Sequence, residues 1–452
     1  MQSGDSYDET FSPTARWDTV RAFSAVANQH GLAMRHLDVK TAFLIPELDP
    51  SERIFITVPD GVSGVPPGCV LELKKSMHGI KQAGRCWNTH IDSTLKSLGF
   101  VPSFADPCLY VRRRGKSDVA MILLYVDDIL LAGSDKSVAD VAAALAQRYT
   151  ITDDGEPSHF LGVRFERDRK RGVLKLSQEA YARAVLQRFG MEDCTHSDSP
   201  ASGRRLTKAM GPADQQERRT MAKVPYRAAV GALMYLAVST RPDISQALSQ
   251  VARFSQDPGA QHWQAVQRIL RYVAGTLDRG IVYRHQPQLS FFGYADADDA
   301  GSEDKKSTSG YLFMFGGAPL SWKSKFQKTK TTLSSCESEL VALSYAARHA
   351  IWLRALFSDF YTQVLPPTII FEDNDGARTV ANNNKFSEKL KHVDRRDFFV
   401  RECVQAKRVQ VQRCSTKKML ADIFTKPLSR EIFISLTRKI FSGRVRPDDR
   451  DF

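Results

Sequence analysis

Apolar positions recur along the chain with two different periods, and the period separates predicted helices from predicted strands. Helical spacing of apolar side chains predicts amphipathic helices over residues 17–30, 81–98 and 138–149. Alternation and short apolar runs predict strands over residues 31–43, 108–115, 119–126, 129–133, 159–168 and 172–178, the first of them running into a turn. Helices set among antiparallel strands predict an α+β layered domain of the split βαβ kind.

The pattern changes three times further along the chain. Residues 194–222 are polar and charged and are interrupted by Pro and Gly, which predicts a linker or a long surface loop. Residues 225–284 carry three apolar stripes at helical spacing and are predicted to be mostly helical. From Leu289 onward, strands such as LSFFGYADA and PTIIFEDN mix with helices such as SSCESELVALSYAARHAIWLRALF, which predicts an α/β domain.

Two adjacent carboxylates interrupt the most apolar stretch, MILLYVDDILLAG. At a separation of about 4 Å and an effective dielectric of about 20, Asp127 and Asp128 repel each other by roughly 4 kcal/mol. Aspartate is also a common turn residue, so a plain β-turn is the alternative explanation. Asp38 ends a second apolar strand, LDV. Carboxylates at the ends of two strands of one sheet favour a Mg²⁺ site for phosphoryl transfer.

Composition narrows the class of protein and of partner. The 452 residues are 42% hydrophobic, enough for several cores, and 64 Lys and Arg against 51 Asp and Glu give a net charge of +13. That charge suits a polyanion such as nucleic acid, although a merely basic globular protein has the same composition. The seven cysteines form no C-x-x-C pair, which argues against a zinc site and favours a reducing compartment. We expect neither a signal peptide nor a transmembrane segment, and a cytoplasmic or nuclear location.

Several motifs, in order, resemble the reverse transcriptase region of copia-type retrotransposon Pol polyproteins. They are LDVKTAFL, MHGIKQAGRCW, LYVDDILLAG, YRAAVGALMYLAVSTRPDI, GYADADDAGSEDKKSTSGY, LSSCESELVALS, EDNDGA, KHVDRRDFF and LADIFTKPL. The resemblance implies a reverse transcriptase palm over residues 1–193, the polar linker over 194–222 and a helical thumb or connection over 223–288. It further implies an RNase H-like α/β domain over residues 289–430, followed by a tail over 431–452.

The resemblance assigns roles to residues of the first domain. Asp38 and Asp127 correspond to the principal metal ligands of the polymerase, and Asp128 is the adjacent acid of the same motif. Phe43 corresponds to the aromatic residue that excludes a 2′-hydroxyl, and Gln82 to the glutamine that contacts the incoming nucleotide. A core aromatic and a surface glutamine are the structural alternatives. Lys81 and Arg85 are candidate phosphate contacts or simply solvated side chains, and Gly84 stands where the family often has proline.

The resemblance also assigns four acids to the RNase H-like domain. Asp296 is expected at a strand end, Glu339 on a helix, Asp373 at a strand end and Asp422 at the start of the last helix. Local competitors for these roles are Asp298 and Asp299 for the first acid, Glu337 for the second and Asp375 for the third. A basic segment with interleaved aromatic residues precedes the Glu339 helix and suits the backbone of an RNA–DNA hybrid, although such runs are usually solvated. Its lysines are Lys323, Lys325, Lys328 and Lys330.

The expected function is an RNA-directed DNA polymerase with RNase H activity and two-metal phosphoryl transfer. Its cofactor is Mg²⁺, two ions per active site, with Mn²⁺ as the alternative. Its partners are an RNA template, a DNA primer, an RNA–DNA hybrid and dNTPs. Family members carry a fingers segment upstream of the residues seen here, so weakened polymerisation is expected. A non-catalytic nucleic-acid-binding remnant of a retrotransposon is the alternative, and a primer-extension assay with Mg²⁺ discriminates between the two.

Overall fold

The computed structural model describes residues 10–115, 118–298, 306–327, 334–361, 364–383 and 399–447. By contacts, the chain divides into two units, and the division passes through helix α1 (Trp17–Gln29). Unit 1 comprises residues 1–23 and 32–157, and unit 2 comprises residues 24–31 and 158–452. None of the described helices is both long and apolar enough to span a lipid bilayer.

Unit 1 is built on one antiparallel sheet with two helices packed on it. Its elements are β1 (Ala33–Val39), a 3₁₀ helix (Ala42–Leu44), β2 (Phe55–Thr57), β3 (Val70–Glu72), α2 (Ala83–Ser97), β4 (Val101–Pro102), β5 (Leu109–Arg114), β6 (Asp118–Tyr125), β7 (Asp128–Gly133), α3 (Asp135–Ala146) and β8 (Ile151–Gly155). The sheet has the order β4-β5-β6-β7-β1-β8, and β2 pairs separately with β3. The predicted hairpin of β6 and β7 lies at the centre of this sheet.

The core of unit 1 follows from the predicted helical spacing. Helix α2 buries Trp87, Ile91 and Leu95 in one cluster with apolar side chains of the central strands. Helix α3 begins at a cap in which the Ser134 hydroxyl accepts a hydrogen bond from the Ser137 N–H at 3.1 Å. These contacts leave the turn between β6 and β7 at the end of a rigid sheet.

Unit 2 combines a small antiparallel sheet, a helical region and a mixed sheet. Its first half contains β9 (His159–Phe160), β10 (Val163–Asp168), β11 (Val173–Ser177), α4 (Glu179–Arg188), α5 (Gln215–Met221), α6 (Tyr226–Ser239), α7 (Ser245–Ala252), α8 (Ala260–Ala274) and β12 (Gly280–Arg284). The sheet order is β12-β11-β10-β9. The polar segment 194–222, predicted as a linker or loop, contains α5 and a 3₁₀ turn at Lys208–Met210.

The second half of unit 2 is the predicted α/β domain. It contains β13 (Phe291–Asp298), β14 (Thr308–Phe315), β15 (Ala318–Phe326), α9 (Ser335–Phe360), β16 (Thr368–Glu372), α10 (Asp375–Asn382), α11 (Phe399–Gln405), β17 (Val409–Arg413), a 3₁₀ helix (Leu420–Phe424) and α12 (Arg430–Phe441). The sheet order is β15-β14-β13-β16-β17, antiparallel across β15-β14-β13 and parallel across β13-β16-β17. The expected α+β multidomain architecture with an RNase H-like sheet is therefore confirmed.

Candidate active sites

The first candidate site lies at the end of the unit 1 sheet where β1, β6 and β7 meet. Antiparallel pairing sets Asp38 opposite Asp128, and the hairpin sets Tyr125 opposite Asp128, which leaves Val126 and Asp127 in the turn. The register therefore brings the three predicted acids to one end of the sheet.

The turn that carries Asp127 has an unusual backbone. Val126 has a φ of 59°, a left-handed conformation that is rare for a β-branched residue. Two hydrogen bonds hold it: the Trp87 Nε1–H donates to the Val126 carbonyl at 2.6 Å, and the Val39 N–H donates to the Asp127 carbonyl at 3.0 Å. The surrounding structure thus fixes a strained turn at the acids, as is common at functional sites.

Two cationic groups lie beside the acids of this first site. The Asp38 Oδ2 accepts from the Lys40 Nζ at 2.6 Å. The His36 ring bridges two carboxylates, with 3.0 Å to Asp128 Oδ1 and 3.0 Å to Asp154 Oδ2. The hydrogen bond to Asp128 raises the pKa of His36 above its ordinary value. The sequence reasoning did not find His36, although it lies on the same face of β1 as Asp38 by strand periodicity.

Asp127 differs from its neighbours because its carboxylate is poorly compensated. Burial raises the pKa of Asp127, and the charges of Asp128 and Asp38 add to that effect. A bound cation would remove this cost, so the residue types fit a divalent metal. The three acids do not, however, form a group of three ligand atoms within 4.8 Å of one another.

The predicted nucleotide-binding residues have mixed environments. Phe43, in the 3₁₀ helix after β1, is partly buried and contacts the edge of the His78 ring at 5.0 Å between centroids. Gln82 is 0% exposed, with its Nε2 3.5 Å from Glu52 Oε2, and Arg85 forms an ion pair with the same Glu52. In this structure Glu52 is therefore the partner of both Gln82 and Arg85. The sequence did not predict this role for Glu52. Lys81 is exposed.

The second candidate site lies in unit 2, where β16 ends beside β13. Parallel pairing of Tyr294 with Phe371 places Asp373, just after β16, beside Asp296 of β13. The expectation that Asp296 lies at a strand end is wrong, because β13 continues to Asp298 and pairs there with β14. Asp296, Glu339 and Asp373 each offer a carboxylate oxygen, and these oxygens all lie within 4.8 Å of one another. Within the described part of the chain, this is the single group of three or more His, Cys, Asp or Glu ligands with that spacing.

Asp422 joins this cluster from a different element than expected. The prediction that Asp422 starts the last helix is wrong, because it lies in the 3₁₀ helix Leu420–Phe424 and α12 begins only at Arg430. Lys426 Nζ lies 2.9 Å from Asp422 Oδ1 and 3.8 Å from Asp296 Oδ2. The Thr425 hydroxyl donates to Asp296 Oδ2. The 3₁₀ helix and the two residues after it thus place three groups beside Asp296: the Asp422 carboxylate, the Thr425 hydroxyl and the Lys426 ammonium.

The second site is electrostatically unbalanced. Burial raises the pKa of Glu339 to about 11, and the charge of Glu372 is the next cause. Burial also raises the pKa of Asp422 to about 7 and that of Glu372 well above its ordinary value. Glu339 Oε2 and Glu372 Oε2 are buried without a hydrogen-bond partner among the described residues. Unpartnered carboxylate oxygens around one point fit divalent cations, which prefer such ligands.

Glu372 is a member of this cluster that the sequence reasoning missed. It is fully buried at the end of β16, and its Oε1 accepts from the Asn374 N–H at 3.0 Å. Asn374 in turn caps α10, since its Oδ1 accepts from the Ala377 N–H at 2.9 Å. The consecutive acids in the motif FEDND were the available signal, but alternation along a strand predicts opposite faces for neighbouring residues.

The competing acids lie outside the cluster of three or are not described. Glu337 follows the Ser334 cap of α9 and is less buried than Glu339. The side chain of Asp375 is 60% exposed and pairs with Arg378 at 2.6 Å. Asp298 ends β13 and is partly exposed. Asp299 lies outside the described residues.

The basic segment before α9 is only partly described. Lys323 and Lys325 are exposed on β15, and the Lys325 ammonium lies 4.3 Å from the centroid of the Tyr345 ring. Lys328 and Lys330 lie outside the described residues. Trp322, expected among the interleaved aromatics, is only 8% exposed, and its Nε1–H donates to the Ala237 carbonyl at 2.9 Å. Trp322 is therefore a core residue.

Comparison with known proteins finds relatives among reverse transcriptases and retrotransposon Pol polyproteins. A family model described as reverse transcriptase (RNA-dependent DNA polymerase) matches residues 1–202. The retrovirus-related Pol polyprotein from transposon TNT 1-94 of Nicotiana tabacum is 37% identical over 438 residues, which cover 96% of this chain and 32% of that protein. The polyprotein from transposon RE2 of Arabidopsis thaliana is 36% identical, over 99% of this chain and 30% of that protein. The chain thus spans about a third of the length of these polyproteins.

A shorter relative is matched over nearly its whole length. The putative transposon Ty5-1 protein of Saccharomyces cerevisiae is 32% identical over 312 residues, which cover 68% of this chain and 98% of that protein. Among solved structures, a foamy viral protease-reverse transcriptase in complex with RNA/DNA hybrid covers 86% of this chain and 45% of that chain. Its sequence identity is 13% and its TM-score 0.48. The family assignment therefore depends on the sequence relatives.

Proposed function

The chain belongs to the reverse transcriptase family of copia-type retrotransposon Pol polyproteins, and we propose that it is an RNA-directed DNA polymerase with RNase H activity. The observation that carries the proposal is the presence of a separate set of carboxylates in each unit. Copying and cleavage both transfer a phosphoryl group, and both need acids that hold cations beside a phosphate. The proposed partners are an RNA template, a DNA primer, an RNA–DNA hybrid and dNTPs.

In unit 1, Asp38 and Asp127 are the proposed metal ligands, and Asp128 supports them. The strained turn fixes Asp127, and the ion pair with Lys40 orients Asp38. Phe43 is proposed to lie under the incoming sugar and to exclude a 2′-hydroxyl by its volume. Gln82 is proposed to contact the incoming nucleotide, and Arg85 a phosphate of the nucleic acid, once both separate from Glu52, which neutralises Arg85 in this structure. Lys81 is proposed to face the nucleic acid from the surface.

In unit 2, the proposed metal ligands of the RNase H site are Asp296, Glu339, Asp373 and Asp422. Thr425 and Lys426 orient Asp296 and Asp422 by the contacts described above. Glu372 lies beside Glu339, and a bound cation would favour its charged form against its raised pKa. When bound, Mg²⁺, or Mn²⁺ in its stead, lowers the pKa of a coordinated water and stabilises charge on the phosphate. Lys323, Lys325, Lys328 and Lys330 are proposed to contact the hybrid backbone.

The RNase H part is tested by cleavage of an RNA–DNA hybrid with Mg²⁺. Glu339→Gln removes a ligand and is expected to lower the single-turnover cleavage rate by about 100-fold or more, since even outer-shell changes cost 10- to 100-fold. Glu337→Gln, two residues away on α9, is the matched control and is expected to retain activity. Equal rates for wild type and Glu339→Gln would refute the assignment.

The polymerase part is tested by primer extension on an RNA template. Asp127→Ala is expected to abolish extension, and Asp140→Ala, an exposed acid on α3, is the control. If wild type binds the hybrid but neither extends primers nor cleaves RNA with Mg²⁺ or Mn²⁺, the chain is a binding remnant and the proposed activities are wrong.

A further inference from the structure

A groove of about 840 Å³ on the mixed sheet of unit 2 is separate from the acid cluster. We call it the basic groove. Its floor and walls include Tyr294, Phe371, Gln412, Lys418, Arg438 and Arg444. None of the sequence motifs and none of the proposed catalytic roles accounts for it.

The fold creates this groove by covering the sheet unequally. Tyr294 pairs with Phe371, and Phe371 pairs with Gln412, so these three side chains form a row across β13, β16 and β17. Their neighbours Gly293, Ile370 and Val411 point to the opposite face by strand alternation, the face on which α9 packs. On the groove side, α12 packs over β15 and the 3₁₀ helix Leu420–Phe424. The row of Tyr294, Phe371 and Gln412 therefore becomes the floor of a groove.

The charge of the groove has one sign. Six of its lining residues are Lys or Arg, and no Asp or Glu lines it among the described residues. The side chains of Arg438, Lys439 and Arg444 form no ion pair or hydrogen bond with another described residue. Clustered cations without counter-charges raise the local potential and attract polyanions, with release of the polyanion's own counterions. Arg413 has Asp375 as a counter-charge at 3.8 Å, but Arg438, Lys439 and Arg444 have none among the described residues, and this cluster of three points to an anionic ligand.

The arrangement of the cations indicates which anion fits. Lys418 belongs to the wall between β17 and the 3₁₀ helix, whereas Arg438 and Arg444 belong to the wall formed by α12 and the residues after it. Arg413, two residues after Val411 on β17, points to the other face and pairs with Asp375 at 3.8 Å. Cations on both sides of a floor contact a narrow chain from two directions, whereas a duplex presents only one convex side at a time. From this geometry, we infer that the basic groove binds a single polynucleotide strand through its phosphodiester backbone.

The position of the groove connects it to the cluster of acids. Leu420 lines the groove and belongs to the same 3₁₀ helix as Asp422. Cys414, also in the lining, donates its N–H to the Glu372 carbonyl at 3.0 Å. A strand in the groove thus runs toward the acids at one end. We assign it to the single-stranded extension of a hybrid at the cleavage site, an assignment that rests on the proposed RNase H function.

Binding is tested first without any chemistry, by fluorescence anisotropy of a labelled 20-nucleotide deoxythymidine oligomer on the full chain. Arg438→Glu with Arg444→Glu is expected to weaken binding by roughly tenfold and to reduce the slope of log affinity against log salt by about 1.4, at about 0.7 per lost phosphate contact. Lys170→Glu with Lys223→Glu makes the same net charge change at exposed sites outside the groove and is expected to retain most of the affinity. Equal losses in both double variants would overturn the inference.

A charge-neutral variant, melting curves and a cleavage assay separate loss of binding from loss of folding. Arg438→Gln with Arg444→Gln removes charge without reversing it, and circular dichroism melts report whether either groove variant unfolds. The cleavage rate is then measured on a blunt hybrid and on a hybrid with a 12-nucleotide single-stranded extension. We expect the groove variants to cleave the extended hybrid more slowly than wild type and the blunt hybrid at the wild-type rate. If wild type binds the oligomer through the groove but cleaves neither hybrid, the proposed function fails while the groove stands. If wild type cleaves both and the groove variants match it in binding, the groove assignment fails alone.

Discussion

Buried carboxylates in this protein have two different roles, a structural ion pair or a cation site, and the presence of a neighbouring Arg distinguishes them. The side chain of Asp243 is 0% exposed and lies 2.9 Å from Arg241 Nη2 and 3.1 Å from Arg279 Nη1. Burial alone would raise the pKa of Asp243, but the charge of Arg241 and then of Arg279 holds it at about 2. Glu339 is nearly as buried, has Glu372 as its strongest charged neighbour, and has a raised pKa. The first pattern is structural, and the second fits a cation site.

Removal of the Asp243 charge should strongly destabilise unit 2. Asp243→Asn leaves Arg241, only 2% exposed, without its counter-charge, and we expect the free energy of unfolding to fall by about 3–5 kcal/mol in urea titrations at pH 7. Asp257→Asn is the control, because its ion pair with Arg218 is more than half exposed and contributes less than about 1 kcal/mol. Since the folded pKa of Asp243 is depressed, this stabilisation is present above pH 4 and is lost as the pH falls toward 2.

The acids of the second site should destabilise unit 2 as the pH rises. Asp422 and Glu339 have folded pKa values raised to about 7 and about 11, so the folded state binds more protons than the unfolded state above pH 4. Stability in EDTA should therefore fall from pH 5 to pH 8, and Mg²⁺ should restore it by binding only the folded state. Glu339→Gln should flatten this pH dependence in urea titrations. An unchanged slope in that variant would mean that Glu339 is already compensated.

The sequence predicts most elements of this fold but misses those whose partners are distant. The three helices within residues 225–284 are confirmed, whereas β12, at the end of a range predicted to be mostly helical, was not predicted. Residues 280–284 become a strand because they pair with β11, more than 100 residues earlier, for example Gly280 with Ser177. Strand β15 was missed because its lysines suggested a solvated segment, although they alternate with Trp322, Ser324 and Phe326. Whether such short segments form strands depends on the strands with which they pair in the folded protein.

One close approach between elements determines where Asp422 lies. A Cβ atom at Gly310 on β14 would lie 2.7 Å from Thr425 Cγ2 and 2.8 Å from Phe424 Cβ, and Gly310 is the strand partner of Asp296. The absence of a side chain on β14 therefore lets the 3₁₀ helix carry Asp422 to Asp296.

A side chain at Gly310 should impair both hybrid cleavage and stability. Gly310→Val is expected to displace the 3₁₀ helix, to lower cleavage by at least about tenfold, and to cost on the order of 1–3 kcal/mol of overpacking. Gly231→Ala on α6 is the matched control, since nothing lies within 4 Å of its Cβ and the change favours a helix. Wild-type cleavage by Gly310→Val would mean that the position of the 3₁₀ helix is not critical.

At the scale of the whole molecule, the sequence predicts the acids better than their surroundings. The seven acids were assigned by resemblance, and the structure brings Asp296, Glu339 and Asp373 together and sets Asp38 opposite Asp128. The groups that balance or orient the site side chains were not predicted. Some of them, such as His36 and Glu372, lie within two residues of a predicted acid, but strand pairing and burial decide which neighbours act at the site. These groups are His36, Glu52, Glu372, Thr425 and Lys426.

The domain boundaries, like the groups around the acids, were not fully predicted from the sequence. Composition predicts breaks at residues 193 and 222, whereas contacts divide the chain at Pro157 and assign residues 24–31 to unit 2. Asn28 is one reason, because its Nδ2 donates to the Gly172 carbonyl at 2.9 Å. Polarity reports where a chain meets water, and contacts report which segments share a core, so the two criteria need not agree. The predicted domain boundaries stay predictions about which segments fold alone.

Because each unit carries its own acids, the two activities should be separable in one chain. Asp127→Ala should abolish primer extension and leave hybrid cleavage within about twofold of wild type, and Glu339→Gln should do the reverse. The double variant should lose both activities but bind the hybrid with nearly wild-type affinity, because the basic side chains that contact phosphates are unchanged. Free energies of unfolding should add to within about 0.5 kcal/mol, as expected for sites that share no residues. If either single variant loses both activities while its melting curve matches that of wild type, then the two acid sets depend on each other for catalysis, and the assignment of one activity to each unit is wrong.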